Sequence, residues 1–503
     1  MDILHQLYYG FTVGLQPINL LFCFLGVLIG TLIGVLPGIG PVGTISMLLP
    51  VSFHMPPTSA IILLAGIYYG AMYGGSTTSI LVNIPGEAAS VVTCLDGYEM
   101  AKRGRAGPAL GISAFGSFIA GTLGIVGLMI FATPLATFAL KFGSPEYFAL
   151  LFFGLTLVTY LSRGSILKAL MMGAFGLILS CVGLDSIQAS PRMTFDIMQL
   201  WDGVGLIPVA MGLFGVAEVL INLEQTVKTD ILKTKIESFF PTARDWMQSK
   251  GPILRGTVLG FFLGLLPGGN PVIASFLSYG LEKRISKTPE KFGKGAIEGV
   301  AGPEAANNSA TAGGFIPLFT LGIPCNITMA LMFGALLIHG MRPGPFLLKD
   351  HPDLFWGVVG SMYIGNAMLL VLNLPLIPMW VQVLKVPYRI LFPLILLFCI
   401  VGSYSINNSL FDVFMMMIFG AVGYLFRKFE YEGAPLILAF VLGPMFETNL
   451  RQSLLLSKGS FGIFFNRPIS AVFISIAILL LLTSVLPYFK KAKNTFEAST
   501  KDD

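Results

Sequence analysis

The chain has 503 residues, of which 54% are hydrophobic and 11% charged, and its mean hydropathy is +0.80. A soluble globular domain carries about 25% charged residues, so this composition excludes one and requires lipid as the solvent. The net charge of +5 is spread over connecting loops and a Lys-rich tail (Lys490, Lys491, Lys493), which fits the loop bias of a membrane protein better than nucleic-acid binding.

Residues 1–17 form an N-terminal segment. It lacks a basic region followed by a short apolar stretch and a small-residue cleavage site, so no removable signal peptide is expected and the first apolar run is expected to be retained. Apolar runs then recur from Leu20 to Tyr488, for example over 110–132, 147–162, 355–383, 388–402 and 468–488. Roughly a dozen such segments are long enough to cross ~30 Å of hydrocarbon, some of them short or broken. They lack the alternation of barrel strands, and backbone groups inside lipid must be satisfied internally, so helices are the expected spanning element. The expected fold is an all-α polytopic membrane protein.

The first of these runs carries a motif that the chain writes twice. GVLIGTLIGVLPGIGPV places Gly26, Gly30, Gly34 and Gly38 four residues apart, with Pro37 and Pro41 around the last glycines. GTVLGFFLGLLPGGNPV repeats this as Gly256, Gly260, Gly264 and Gly268 with Pro267 and Pro271, each 230 positions later. The match continues with small insertions: Gly75 to Pro85 with Gly314 to Pro324, Gly107-Pro108 with Gly344-Pro345, and Gly116-Ser117 and Gly121 with Gly360-Ser361 and Gly365. A domain-scale duplication follows, with a first repeat over 18–225, a polar linker over 226–249, a second repeat over 250–490 and a polar tail over 491–503. After the first hairpin SFHMPPTS contains no Lys or Arg, whereas its counterpart holds Lys283, Arg284, Lys287, Lys291 and Lys294. Opposite charge at equivalent loops favours repeats of inverted topology. The later loops GYEMAKRGRAG and HGMRPGPFLLK are both basic and do not discriminate.

A helix cannot run unbroken through Pro-Gly-x-Gly-Pro, because proline removes a donor and clashes with the preceding turn while glycine permits a reversal. Pro37, Gly38 and Gly40, and Gly268, Gly269 and Asn270, therefore read as helix breaks or tips of re-entrant hairpins. Such breaks free amides for an anion or carbonyls for a cation. The competing reading is a surface loop beside GxxxG helix packing. Polar clusters follow each break: Ser76, Thr77, Thr78, Ser79 and Asn83 before Pro85-Gly86-Glu87, and Glu304, Asn307, Asn308, Ser309 and Thr311 before Pro324 and Asn326. Hydroxyls, amide oxygens and freed carbonyls suit a hard monovalent cation such as sodium, and hydroxyls, amides and helix N-termini can hold a carboxylate. Ser, Thr and Asn also bind helices to one another in a bilayer.

Ionisable residues within apolar runs are functional candidates because burial in lipid is costly. Glu87 and Glu304 stand just after a proline, so each reads either as a coupling group or as a helix cap. Glu218 and Asp412 read either as coupling groups or as partners in a polar contact, and Asp96 and Glu99, beside Lys102, Arg103 and Arg105, as a solvated loop face. Five scattered cysteines (Cys23, Cys94, Cys181, Cys325, Cys399) form no CxxC pair and read as packing residues. No HExxH, GxSxG or Walker A sequence is present, and His5, His54, His339 and His351 lie far apart, so neither an enzyme nor a bound cofactor is expected.

The GVLPGIGP start, the block YYGAMYGGSTTSILVNIPGEAASVVTCLDGYEMAKRGRAGPALG, and the later GLLPGGNP and EGVAGPEAANNSATAGGFIPLFTLGIP resemble the large membrane subunit of tripartite tricarboxylate transporters. The resemblance covers about residues 18 to 490. It implies an ion-gradient-driven, sodium- or proton-coupled importer of carboxylates in a bacterial inner membrane, working with a small membrane subunit and a periplasmic solute-binding protein. The substrate class it implies spans citrate and related tricarboxylates, dicarboxylates and aromatic acids.

Overall fold

A computed structural model describes residues 3–36, 40–162, 165–185, 187–224, 238–383 and 388–499. Helix dominates them, and the one sheet among the described residues is a two-stranded hairpin pairing Gly183 with Arg192 and Leu184 with Pro191. Among the described residues, six helices are long and apolar enough to cross a membrane: Pro17–Val35, Ala106–Ala139, Leu206–Glu224, Pro352–Asn373, Leu410–Lys428 and Gly433–Leu456. Five shorter apolar helices accompany them, over Gly40–Ser52, Ile166–Ser180, Ile327–Ile338, Leu391–Asn407 and Pro468–Thr483. The polytopic, nearly all-helical architecture expected from hydropathy is therefore present.

The chain divides into two compact units: Met1–Ala139 with Ile207–Tyr424, and Leu140–Leu206 with Leu425–Asp503. At the centre of the first unit lie helices Pro57–Val82 and Glu298–Gly313, in which nearly every residue is buried. A helix buried on all sides has no solvent face to polarise, which is why neither shows an amphipathic stripe. Proline at the first turn starts Pro57–Val82, because the missing N–H is one of the orphan donors there.

The duplicated glycines make duplicated contacts. A Cβ added at Gly26, Gly30 or Gly34 would collide with the carbonyls of Leu63, Ile67 and Ala71. At Gly256, Gly260 and Gly264 it would collide with those of Gly302, Ala306 and Ala310. The second set of carbonyls lies 239 positions after the first, the offset that also relates Gly75 to Gly314 and Pro85 to Pro324. Small residues at four-residue spacing thus let helix Pro17–Val35 press its backbone onto Pro57–Val82, and Ala243–Gly264 onto Glu298–Gly313. The helix ends correspond as well: Asn83 at φ 59° and Gly322 at φ 69° are left-handed caps at equivalent positions. Four residues on, the Glu87 carboxylate accepts from Ala89 N and the Asn326 side chain from Met329 N.

The second unit contains Ser144–Tyr160, Ile166–Ser180, the hairpin and Gly433–Leu456. Phe148 packs against Phe446 and Phe464, with ring centroids 4.8 and 4.7 Å apart. Arg192 meets Glu447 at 2.7 Å, and Arg451 bridges Asp185 at 2.6 Å and Glu447 at 2.9 Å. The Arg451 guanidinium, with the amides of Gln188 and Ile187, holds the Asp185 carboxyl well below the usual carboxylate range. This network fastens the hairpin to helix Gly433–Leu456.

Three sequence readings take a different or more definite form. Asp96 is fully buried rather than part of a solvated face, accepting from Tyr279 Oη at 2.9 Å and from the Gly295 and Ala296 amides at 2.7 and 2.8 Å. Its basic neighbours in sequence face elsewhere: Lys102 pairs with Glu99 at 2.7 Å and Arg105 with Asp245 at 2.5 Å. Burial opposes charge on Asp245, yet Arg105 and Thr242 hold its carboxyl below the ordinary value. Asp412 accepts from Asn407 at 2.9 Å and Glu218 from Asn222 at 3.1 Å, the kind of polar contact that one of their two readings named. The five cysteines are free thiols, with Cys23, Cys325 and Cys399 buried.

Candidate functional site

Glu304 is the hub of the first unit's buried polar cluster. It projects from helix Glu298–Gly313 with 1% of its surface exposed. Ser76 Oγ, from Pro57–Val82, donates to its Oε2 at 2.6 Å, and Thr93 Oγ1, from Val91–Lys102, donates to its Oε1. One turn on, Asn308 Nδ2 donates to Ser117 Oγ at 2.7 Å and to the Glu304 carbonyl at 3.1 Å. Four helices, Pro57–Val82, Val91–Lys102, Ala106–Ala139 and Glu298–Gly313, therefore converge on one carboxylate and one amide. Buried polar groups in such a site are held by their partners or they are costly.

A small cavity of about 20 Å³ adjoins this cluster, lined by Tyr69, Tyr73, Gly121, Asn308, Thr311 and Asn366. That is space for about one water molecule. Tyr73 Oη donates to Asn366 Oδ1 at 2.5 Å, and Asn366 Nδ2 donates to Thr122 Oγ1 at 3.0 Å and to the Phe118 carbonyl at 2.9 Å.

Glu87 lies on the short connection after Pro57–Val82, 7% exposed. Its Oε2 accepts from Ala89 N at 2.6 Å, whereas its Oε1 has no hydrogen-bond partner. Asn307 is 1% exposed and its side chain is a hydrogen-bonding neighbour of the Glu87 carboxylate, but outside the geometry of a well-formed bond, and its amide has no other partner. Gly86 brings this connection against the end of Pro17–Val35, where any side chain would strike the Gly34 carbonyl.

The other anticipated residues divide by role. Pro37 and Gly38 lie outside the described residues. Gly40 adopts φ +64° and opens helix Gly40–Ser52. At the second break, Gly268 at φ +81° donates its amide to the Cys325 carbonyl at 2.8 Å, and Gly269 donates to Leu266 at 2.7 Å. The Asn270 side chain caps Ile273 N at 2.9 Å. The amides of Gly268 and Gly269 are thus taken by the protein itself. Thr78 Oγ1 donates to the Val35 carbonyl at 2.7 Å, Ser309 Oγ to Thr257 at 2.8 Å and Thr311 Oγ1 to Asn307 at 3.0 Å. Thr77 and Pro324 are buried, and Asn83 is an exposed helix cap. Thr93, Ser117, Tyr73 and Asn366 complete the cluster without having been singled out in the sequence. Only the Gly116-Ser117 repeat match offered a signal, since a single hydroxyl or amide in an apolar run looks like ordinary helix-packing polarity.

A family model for the tripartite tricarboxylate transporter TctA family matches residues 20–438. The chain belongs to that family. Among relatives of this TctA-family chain, an Agrobacterium vitis protein described as an uncharacterized 52.8 kDa protein in the TAR-I ttuC' 3' region is 49% identical over 494 residues, covering 98% of both chains. A second Agrobacterium vitis protein, an uncharacterized protein in the TAR-II ttuC' 3' region, is 48% identical over 235 residues, covering 47% of this chain and 97% of its own. No solved structure matches this TctA-family chain. The match spans both polar clusters, so Ser76, Thr93, Glu304 and Asn308 all lie within the family region of a transporter.

Proposed function

We propose that this chain is the large transmembrane subunit of a secondary transporter that imports carboxylates across a bacterial inner membrane. It works with a small membrane subunit and a periplasmic binding protein that delivers the substrate. Uptake is coupled to sodium or protons, and the two repeats, over 18–225 and 250–490, are related by inversion and alternate access to one central site. The observation that carries this reading is the convergence of Ser76, Thr93, Asn308 and Ser117 around the buried Glu304. A membrane protein retains an ionisable group in such a place for a substrate path or an ion path, because burying it for packing alone is costly. Hydroxyl and amide donors from several helices suit an oxyanion, and the same groups' oxygens suit a hard cation.

The test is counterflow in proteoliposomes containing the chain, the small subunit and the loaded binding protein. A carrier exchanges labelled citrate, dicarboxylate or aromatic acid against unlabelled substrate inside, and net uptake follows an imposed sodium or proton gradient. Equilibration without counterflow would make the chain a pore.

A further inference from the structure

The two buried carboxylates of the site are not equivalent. Both Glu304 oxygens receive a hydroxyl, from Ser76 and Thr93, on helices packed against it. Glu87 has one oxygen capped by Ala89 N and the other bare, and beside it stands an asparagine whose carbonyl and amino ends are both unpaired. Three unsatisfied polar atoms in one buried place are a deficit that folded proteins do not leave uncompensated. Glu304 also acts electrostatically on Glu87, and neither carboxylate is ion-paired with a basic side chain among the described residues.

We infer that Glu87 and Asn307 form the seat of a monovalent cation, sodium in the first instance, and that Glu304 is a positioning residue whose carboxylate is held by Ser76 and Thr93 and supplies negative field to that seat. This rests on the transport reading above and assigns its coupling ion to one place. The cation takes Glu87 Oε1 and Asn307 Oδ1 as two of its oxygen ligands, hard donors of the kind a non-polarisable cation requires. A bridging water would satisfy the same atoms only with a proton on the carboxyl, whereas a cation supplies the counter-charge itself, and the two cases differ in their response to sodium and to pH. The seat lies on the connection that follows Pro57–Val82, and Gly86 presses that connection onto the Gly34 carbonyl. Its occupancy is thereby tied to the packing of the first glycine register.

The experiment measures ion binding on the purified full chain in nanodiscs, without substrate or partner subunits. Thermal unfolding is followed against sodium chloride at constant ionic strength, with choline chloride as the balancing salt and potassium chloride as comparison, at two pH values. The wild-type chain should melt at a temperature that rises saturably with sodium and little with potassium. Glu87→Gln and Asn307→Ala should each weaken the apparent sodium affinity by about tenfold or more, an energy of about 1.4 kcal/mol, while Gly280→Ala, at a position in helix Pro271–Ile285 where a Cβ meets nothing within 4 Å, should stay within about threefold of wild type. An equal sodium response in wild type and Glu87→Gln would overturn the assignment. So would a folded wild-type chain indifferent to sodium, or one stabilised by acid alone, which would make the seat a proton site. Size-exclusion profiles report folding, and if Glu87→Gln aggregates, Asn307→Ala decides. Loss of carboxylate uptake with the sodium shift intact would sink the transport reading and leave the seat standing.

Discussion

Replacing Gly260 by alanine tests whether the duplicated glycines are contacts or only flexible positions. A methyl group there would fall against Ala306, 2.7 Å from both its carbonyl carbon and its Cα and closer still to its oxygen. None of these is the end of a flexible side chain, so helices Ala243–Gly264 and Glu298–Gly313 must separate. Overpacking of this kind costs ~1–3 kcal/mol, and obstruction by backbone places it near the upper end. Helix propensity returns ~1 kcal/mol for glycine to alanine, leaving a net loss of ~2 kcal/mol. Gly280 supplies the control, because it sits in helix Pro271–Ile285 and a Cβ there meets nothing within 4 Å. Gly280→Ala should therefore gain up to ~1 kcal/mol. Melting curves of the two purified variants at one scan rate should differ by about 3 °C, with Gly260→Ala lower. A Gly260→Ala chain melting at or above wild type would refute the close approach, and Gly30→Ala, against the Ile67 carbonyl, should repeat the loss.

Ser76→Ala and Thr93→Val each remove one hydroxyl from a buried carboxylate, a loss of ~1.5–3 kcal/mol, and should lower gradient-driven uptake about tenfold or more while surface expression persists. Unchanged uptake in both would assign the Glu304 cluster to packing. Asn308→Ala leaves Ser117 without its donor and should likewise reduce uptake, whereas Thr78→Ala, which loses only a tie to the Val35 carbonyl, should cost ~1 kcal/mol of stability and leave ion dependence unaltered. Arg451→Met should lower the melting temperature at neutral pH. The Asp185 carboxyl is depressed in the fold, so the stabilisation is present above its unfolded value of about 4 and is lost as pH falls through the lower folded value. The gap between Arg451→Met and wild type should close on acidification, and a gap independent of pH would remove Asp185 from the network.

The helical, membrane-spanning character was legible because lipid leaves few choices of backbone, and hydropathy reports it directly. The glycine duplication was legible because a four-residue period is the helix's own, so spacing alone implied one face of small residues. Roles within the polar clusters were not legible. Ser76 and Thr78 stand two positions apart, yet one serves Glu304 and the other a helix end. Asp96 misled because its sequence neighbours are basic, whereas its partners come from Tyr279 and from the amides of Gly295 and Ala296.

From its sequence alone this protein is a duplicated bundle of apolar helices with interrupted glycine-proline segments, because composition and period act through local physics. Which carboxylate is satisfied and which is left with an unpaired oxygen depends on partners far apart in the chain, Thr93 for Glu304 and Asn307 beside Glu87. Only tertiary packing brings those groups together, since hydrogen bonds between buried side chains are set by helix register and crossing and leave no periodic trace in the chain.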